Sequence, residues 1–293
     1  MTVSIFATPT SVDDVCALLE ADPWGSKVIS GGTAVALMLR QGLISPDSLV
    51  SIANIESLRG IAVADGVLRI GATMTLHEVS RSPEVRLHAP GVAAACAVVG
   101  NQRIRNVATI GGNLAEADYA SDPPAALASY GARCRIVGPR GERFVPVLDL
   151  IVGFFETVLD TAEVITHVEI PISPHQQQGV YLKFRSRSSE DRACVGVAAC
   201  VEIDRDRIVR LSVVVAAVAS TLQSVESALN AVRGRPLDAQ VAESVAEAFA
   251  DAIDPMEDAR GSAWYRSKMI KVFVRRAVEQ VAAQQRDLGG RSS

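Results

Sequence analysis

The sequence predicts an α+β protein built from three consecutive segments, and three observations predict it. Strand-length apolar runs alternate with helix-like stretches up to Ile172. Two paired-glycine loops, at Gly31-Gly32 and Gly111-Gly112, interrupt that alternation. After a connection marked by Pro171, Pro174 and Gln176-Gln-Gln178, three strand candidates precede three helix candidates.

The first segment, residues 1–54, reads as a small βαβ unit. Ser11, with Asp14 three residues on, has the pattern of a helix N-cap. Val12, Val15, Cys16, Leu18 and Leu19 follow at helical spacing, and Pro23 and Gly25 end the helix. Lys27-Val28-Ile29-Ser30 is a strand feeding the first glycine loop, and a second helix begins at Ala34 and runs to Leu39. The second segment, residues 55–173, has strands at Leu68–Ala72, Arg133–Val137 and Glu163–Ile170. Its helices begin at Thr75, Gly91 and Pro123, the last with proline where a helix tolerates it. The third segment, residues 179–287, holds strands at Tyr181–Arg185, Val195–Ile203 and Ile208–Val218. Helices follow at Leu222–Val232, Asp238–Ala252 and Ser262–Ala283, and residues 288–293 read as a disordered tail.

Composition narrows the function classes. Hydrophobic residues at 48% and charged ones at 21% are ordinary for a globular chain of 293 residues. A net charge of -4 gives no general attraction to nucleic acid or anionic membrane. The start, Met1 to Pro9, lacks a signal-peptide pattern, and runs such as Val213–Ala219 are too short to span a bilayer. A cytoplasmic protein is expected. The five cysteines (16, 96, 134, 194 and 200) are scattered and do not pair with the four histidines. Iron–sulfur and zinc sites need several such ligands at short, defined spacing, so the cysteines read as buried free thiols. No Ser/His/Asp, Cys/His or paired-carboxylate constellation stands out.

The glycine loops carry the chemistry. Ser30-Gly31-Gly32-Thr33 ends a strand just before a helix N-terminus, where anions are stabilised. Thr109-Ile110-Gly111-Gly112-Asn113 places hydroxyl and amide groups on either side of its glycines. Glycine pairs let a ligand approach the main chain, and successive N–H groups make an anion-binding concavity. One such loop is commonplace; two suggest a ligand with two phosphates. Asp122 also reads as a cap ahead of Pro123, and Lys183 as a strand lysine with its amine in water.

At these residues the chain resembles the FAD-binding medium subunits of the molybdenum hydroxylases, which include xanthine dehydrogenase and carbon monoxide dehydrogenase. Ser30–Thr33 resembles that family's first diphosphate loop, and Thr109–Ala115 its second. Gly71–Thr75, Glu163–Pro171, Lys183 and Ser262–Arg266 extend the match in order along nearly the whole chain. The resemblance implies a two-subdomain FAD-binding fold of the PCMH/vanillyl-alcohol-oxidase type, followed by an α+β domain with a three-stranded antiparallel sheet and helices. It implies FAD contacts at Val28, Ile29, Ser30, Gly31, Gly32, Thr33, Ala34 and Val35, and again at Thr109, Ile110, Gly111, Gly112 and Asn113. Asp122 would hydrogen-bond FAD hydroxyls, Lys183 would lie by the isoalloxazine, and Ile165 and Val99 would pack on it. Arg103 and Arg105 would lie near a partner.

The implied partners are a large subunit with the molybdenum cofactor and a small subunit with two [2Fe-2S] clusters, in a dimer of heterotrimers. This chain would pass their electrons to an external acceptor. The sequence departs from the family at Ala34-Val35, where Asp-Leu is common. It departs again at Ala117-Asp118-Tyr119, where Tyr119 could shield part of the flavin and Asp118 could be merely solvated. Two rival readings are a self-contained FAD-dependent oxidase, which would need a further domain over the ring, and a non-flavin nucleotide-binding scaffold, which would purify colourless.

Overall fold

The computed structural model describes residues 5–186 and 192–289. Segment one is β1 (Ile5–Ala7), α1 (Val12–Ala21), β2 (Ser26–Ile29), α2 (Thr33–Gln41) and β3 (Ser48–Ser51), with the strands parallel in the order β1-β3-β2. The Ser11 hydroxyl caps α1 by accepting from the Asp14 N–H at 3.1 Å. Val15, Cys16 and Leu19 are the buried stripe of α1, whereas Leu18 lies outside that face and is exposed. This small core, with Val50, Ile52, Ile55 and Leu58, also takes in Val164 of the next segment.

Segment two opens with β4 (Ile61–Ala64) and β5 (Val67–Gly71). Six helices come next: α3 (Leu76–Arg81), α4 (Pro83–His88), α5 (Pro90–Ala97), α6 (Gln102–Arg105), α7 (Ile110–Glu116) and α8 (Pro123–Ser129). It closes with β6 (Arg133–Gly138), β7 (Gly141–Pro146), α9 (Val147–Leu150), β8 (Ile151–Gly153), β9 (Glu156–Thr157) and β10 (Val164–Pro171). The main sheet, ordered β4-β5-β10-β6-β7, is antiparallel throughout. Leu68, Ile70, Ile136, Val168 and Ile170 face the helices and build the largest core with them. Beyond that core, the buried Glu169 of β10 accepts from Arg69 of β5 at 3.1 Å and from Arg133 of β6 at 2.9 Å, tying three strands together.

The third segment begins earlier than expected. The glutamine run is not linker but the start of β11 (Gln176–Phe184), paired from Gln176 to Phe184 along β12 (Val195–Asp204). As an edge strand β11 has one free flank, so the half-buried Gln177 and Gln178 fit there. β13 (Arg207–Ala216) completes an antiparallel meander, followed by α10 (Glu226–Ala231), α11 (Ala239–Ala252) and α12 (Ala263–Gly289). α10 starts late because Gln223 is first held in a two-way backbone bridge with Val215. α12 runs through residues 288 and 289, placed in the tail by sequence; residues 290–293 lie outside the described residues.

β12 is apolar on both faces because both are covered. Val195, Val197, Ala199 and Val201 face α11 and α12, while Ala198 and Cys200 join the core of segment two. Continuous apolar runs are what a doubly covered strand requires. Tyr130, at the end of α8, fills this junction: its hydroxyl accepts from the Gly91 N–H at 3.1 Å. Gly179 of β11 is glycine for the same reason, since a Cβ there would sit 2.2 Å from the Tyr130 hydroxyl.

Two outcomes follow for unfolding experiments. Tyr130→Phe should cost about 1–3 kcal/mol, the penalty of a buried N–H without a partner, and Gly179→Ala should cost more because ring and backbone cannot both stay. Denaturant titration of the chain measures both. Second, burial raises the Glu169 carboxyl, but bonds from Arg133 and Arg69 outweigh it and hold the group below its ordinary 4.5. A depressed folded value means stability that is present above pH 4.5 and lost as pH falls below it. Glu169→Gln should flatten that acid limb of the stability–pH curve.

Candidate functional site

The fold brings the two glycine loops together. The Thr109 hydroxyl donates to the Ser30 hydroxyl at 3.1 Å and accepts from the Gly112 N–H at 3.2 Å. A Cβ on Gly31 would lie 1.8 Å from the Val107 carbonyl oxygen, so the first loop can seat against the second only as glycine. Gly32 has φ +71° and stands at the N-cap of α2, whose first turn (Thr33, Ala34, Val35) receives no side-chain cap. Uncapped N–H groups beside a left-handed glycine suit an anion. Val28 and Ile29 are half-buried in β2 beneath this loop.

The second loop differs from the expected turn. Ile110, Gly111, Gly112 and Asn113 form the first turn of α7, with Thr109 as N-cap. Gly111 is glycine because of packing, not because of positive φ: its Cβ would lie 2.5 Å from Ala72 Cβ, and its N–H donates to the Ala72 carbonyl at 2.9 Å. Ile110 donates to the Met74 carbonyl and Leu76 to that of Ala108. The segment Gly71–Thr75 is therefore the backing against which the second loop is laid. Arg105 secures its approach by donating to the carbonyls of Val99 and Gly100, both at 3.0 Å.

From Asn113 the site runs to the domain junction. The Asn113 side-chain oxygen accepts from Ser121 at 2.9 Å, next to Asp122. Asp122 precedes α8 but makes no side-chain cap bond. Its carboxylate instead accepts from Lys183 at 2.7 Å and from the Tyr181 hydroxyl at 2.6 Å. The Lys183 and Asp122 side chains are each only 3% exposed, so this strand lysine does not point to water. Lys183 also donates to the Val98 carbonyl at 3.2 Å, which leaves the third N–H of its ammonium with no acceptor among the described residues. Burial pushes the Asp122 carboxyl above its ordinary value, against the pull of Lys183 and Tyr181. Ile165 is buried in β10, and Val99 packs against the same core.

The turn 117–119 also has a structural assignment. Asp118 is not merely solvated, because it pairs with Arg192 at 2.9 Å. The Tyr119 hydroxyl donates to Asp258 at 3.2 Å and accepts from Arg260 at 2.8 Å, so it is bound to the third segment. Arg266 of the Ser262–Arg266 motif is fully buried, donating to Asp258 and to the carbonyls of Met256 and Cys194. Tyr181 went unrecognised in the sequence. Gly196, its one signal, acquires meaning only once the strands are paired.

All five cysteines are buried free thiols. Among the described residues no three His, Cys, Asp or Glu side chains converge on a metal position, and no helix is long and apolar enough to cross a membrane.

Glycine loops packed closely on one another, an uncapped helix start and a buried cation with a spare donor fit a flavin dinucleotide. The FAD binding domain in molybdopterin dehydrogenase matches residues 2–173, and the CO dehydrogenase flavoprotein C-terminal domain matches residues 180–281. The chain belongs to this family, as an FAD-binding medium subunit of the molybdenum hydroxylases. It is 31% identical to the nicotine 6-hydroxylase medium subunit of Paenarthrobacter nicotinovorans, covering 95% of this chain and 97% of that one. It is 32% identical to the carbon monoxide dehydrogenase medium chain of Afipia carboxidovorans, covering 94% and 95% respectively. A carbon monoxide dehydrogenase structure from Hydrogenophaga pseudoflava superposes with TM-score 0.92 at 28% identity, over 96% of this chain and 98% of that chain. The chain is thus a subunit of an oxidoreductase.

Gly32→Val should abolish FAD retention while the chain stays folded, because a branched residue at positive φ costs roughly 1–3 kcal/mol locally and blocks the backbone. Gly111→Val should lose FAD and also lower the melting temperature, since it would meet the Cβ, carbonyl oxygen and Cα of Ala72, none of which can swing aside. Flavin absorbance after gel filtration, beside thermal melts, checks both; wild-type occupancy in either variant contradicts the assignment.

Proposed function

We propose that this chain is the electron-exit subunit of a heterotrimeric molybdenum hydroxylase, operating as a dimer of heterotrimers in the cytoplasm. Electrons released at the molybdenum cofactor of a large subunit, and relayed by two [2Fe-2S] clusters on a small one, leave the complex through this chain to an external acceptor. Bound FAD supplies chemistry competent in both one- and two-electron steps.

The chain's residues bind and tune. Ser30–Thr33, with Ala34 and Val35, hold the diphosphate through main-chain N–H groups and short hydroxyls; Thr109–Asn113, whose N–H groups from 110 to 113 are bonded within the protein, line it with the Thr109 and Asn113 side chains. Val28 and Ile29 floor the first loop. Asp122 holds FAD hydroxyls with the lone pairs that Tyr181 and Lys183 leave over. Lys183 sets a positive charge beside the isoalloxazine, favouring negative charge on the reduced ring. Ile165 and Val99 exclude water from the ring.

The observation that supports this reading best is the convergence of two glycine loops in the FAD-binding domain with a buried lysine–carboxylate pair at its junction with the C-terminal domain. In this reading the substrate is selected by the molybdenum-cofactor subunit, which is supported by the different names, carbon monoxide dehydrogenase, nicotine 6-hydroxylase and quinoline 2-oxidoreductase, that relatives and neighbours of similar identity carry.

Coexpression with a molybdenum-cofactor subunit and a two-cluster subunit should give a stable complex in which substrate bleaches iron–sulfur and flavin absorbance together. Turnover by the isolated chain at full rate would instead make it a self-contained flavoenzyme. Within the complex, Lys183→Met in an Asp122→Asn background, which leaves no buried charge unpaired, should retain FAD and lower its potential. A shift of about 30 mV corresponds to 1.4 kcal/mol for a two-electron couple. An unchanged potential would place Lys183 away from the ring.

A further inference from the structure

Lys183 and Asp122 can be stored in two ways. The proton between Lys183 Nζ and Asp122 Oδ2, 2.7 Å apart, can stay on nitrogen as an ion pair, or move to oxygen and leave an amine and a carboxylic acid. Both forms carry the same net charge, and no proton enters or leaves. In water the ion pair wins easily. At 3% exposure it does not win by default, because each ion has lost its hydration and a neutral pair is cheaper to bury. Hydrogen bonds that favour one form therefore decide.

Two bonds favour the ions. The Val98 carbonyl accepts from the ammonium at 3.2 Å, and the Tyr181 hydroxyl donates to Asp122 Oδ1 at 2.6 Å. The second is the stronger, being short and directed at a charged acceptor. Tyr181 is suited to it: burial and the Asp122 charge raise its phenol well above the usual value, so it stays a donor.

The strand opposite is shaped for this hydroxyl. Lys183 pairs across the ladder with Gly196, and a Cβ on Gly196 would fall 2.4 Å from the Tyr181 oxygen. Glycine inside a strand is unfavourable and commonly marks a close approach; here the approaching group is that hydroxyl. Among the described residues, the other charged or titratable groups that face the pair are Arg185, whose charge favours the carboxylate, and the buried Cys96 thiol.

We propose that Tyr181, in the space that Gly196 leaves open, is the positioning residue that keeps Asp122–Lys183 an ion pair and so keeps a full positive charge on Lys183. Its consequence for bound flavin rests on the reading above that Lys183 lies beside the ring. Without the hydroxyl, the proton moves from Lys183 Nζ to Asp122 Oδ2, and the site becomes electrostatically like the Asp122→Asn/Lys183→Met double variant. Gly196→Ala should act similarly with the hydroxyl still in the chain, because it displaces that oxygen from Asp122.

The test uses the FAD-loaded complex and two readouts. Infrared difference spectra should show a protonated-carboxyl stretch in Tyr181→Phe and Gly196→Ala that is missing from wild type. Adding Asp122→Asn should remove it. The flavin potential in both variants should fall most of the way to that of the double variant, with a melting temperature much closer to wild type than an unpaired buried charge would give. Infrared spectra identical to wild type in both variants would overturn the proposal. If the infrared band appears while the double variant leaves the potential unmoved, the role of Tyr181 stands and the placement of Lys183 beside the ring fails. If the double variant shifts the potential and neither single variant does, the placement stands and the role of Tyr181 fails.

Discussion

The buried pairing of Lys183 with Asp122 is the constraint on which the rest of this structure depends. Its partners come from different segments, the lysine from the first strand of the third and the aspartate from the turn before α8 in the second. Desolvating each ion costs several kcal/mol, and only close contact with further hydrogen bonds offsets it. The two segments must therefore meet tightly enough to exclude water, and the core around the pair is continuous across them: Tyr181, Ala198 and Cys200 of the third pack with α5 and α8 of the second. Glycines at 91, 179 and 196 allow that approach by making room for Tyr130 and Tyr181.

The same constraint places the glycine loops. Asn113 ends the second loop and is held by Ser121, one residue from Asp122, so loop and ion pair cannot move independently. The second loop is fixed from behind by Gly71–Thr75, and the first is fixed against it through Ser30, Thr109 and Gly31. A chain of direct contacts thus runs from the parallel sheet of segment one to the meander of segment three. It has anion-suited backbone at one end and a buried cation at the other. At its edge, Tyr119, Asp258, Arg260 and the buried Arg266 brace the turn after α7 against the start of α12.

Local chemistry made much of this legible in the sequence. Ser11 announced its helix because a cap is decided within three residues, and it accepts the expected N–H. The three strands of the meander were legible one by one, and their antiparallel pairing was implied by the family resemblance. Tertiary packing decided what was misread. The glutamine run looked like linker, but an edge strand needs only one pairing flank. Gly111-Gly112 looked like a turn because the sequence does not record Ala72 lying against Gly111. Asp122 and Lys183 were picked out one by one through family resemblance. That they bind each other, with Tyr181 between them and Gly196 making room, depends on strand register that no local pattern encodes.

The central claim is that both glycine loops and the interdomain pair belong to one FAD site. Amide hydrogen exchange, with and without saturating FAD, tests it most directly. The account predicts that FAD slows exchange together around residues 31–35, around residues 111–113, and around Asp122 and Lys183 at the junction. Protection confined to one loop, or appearing elsewhere while both loops exchange at their ligand-free rates, would contradict it.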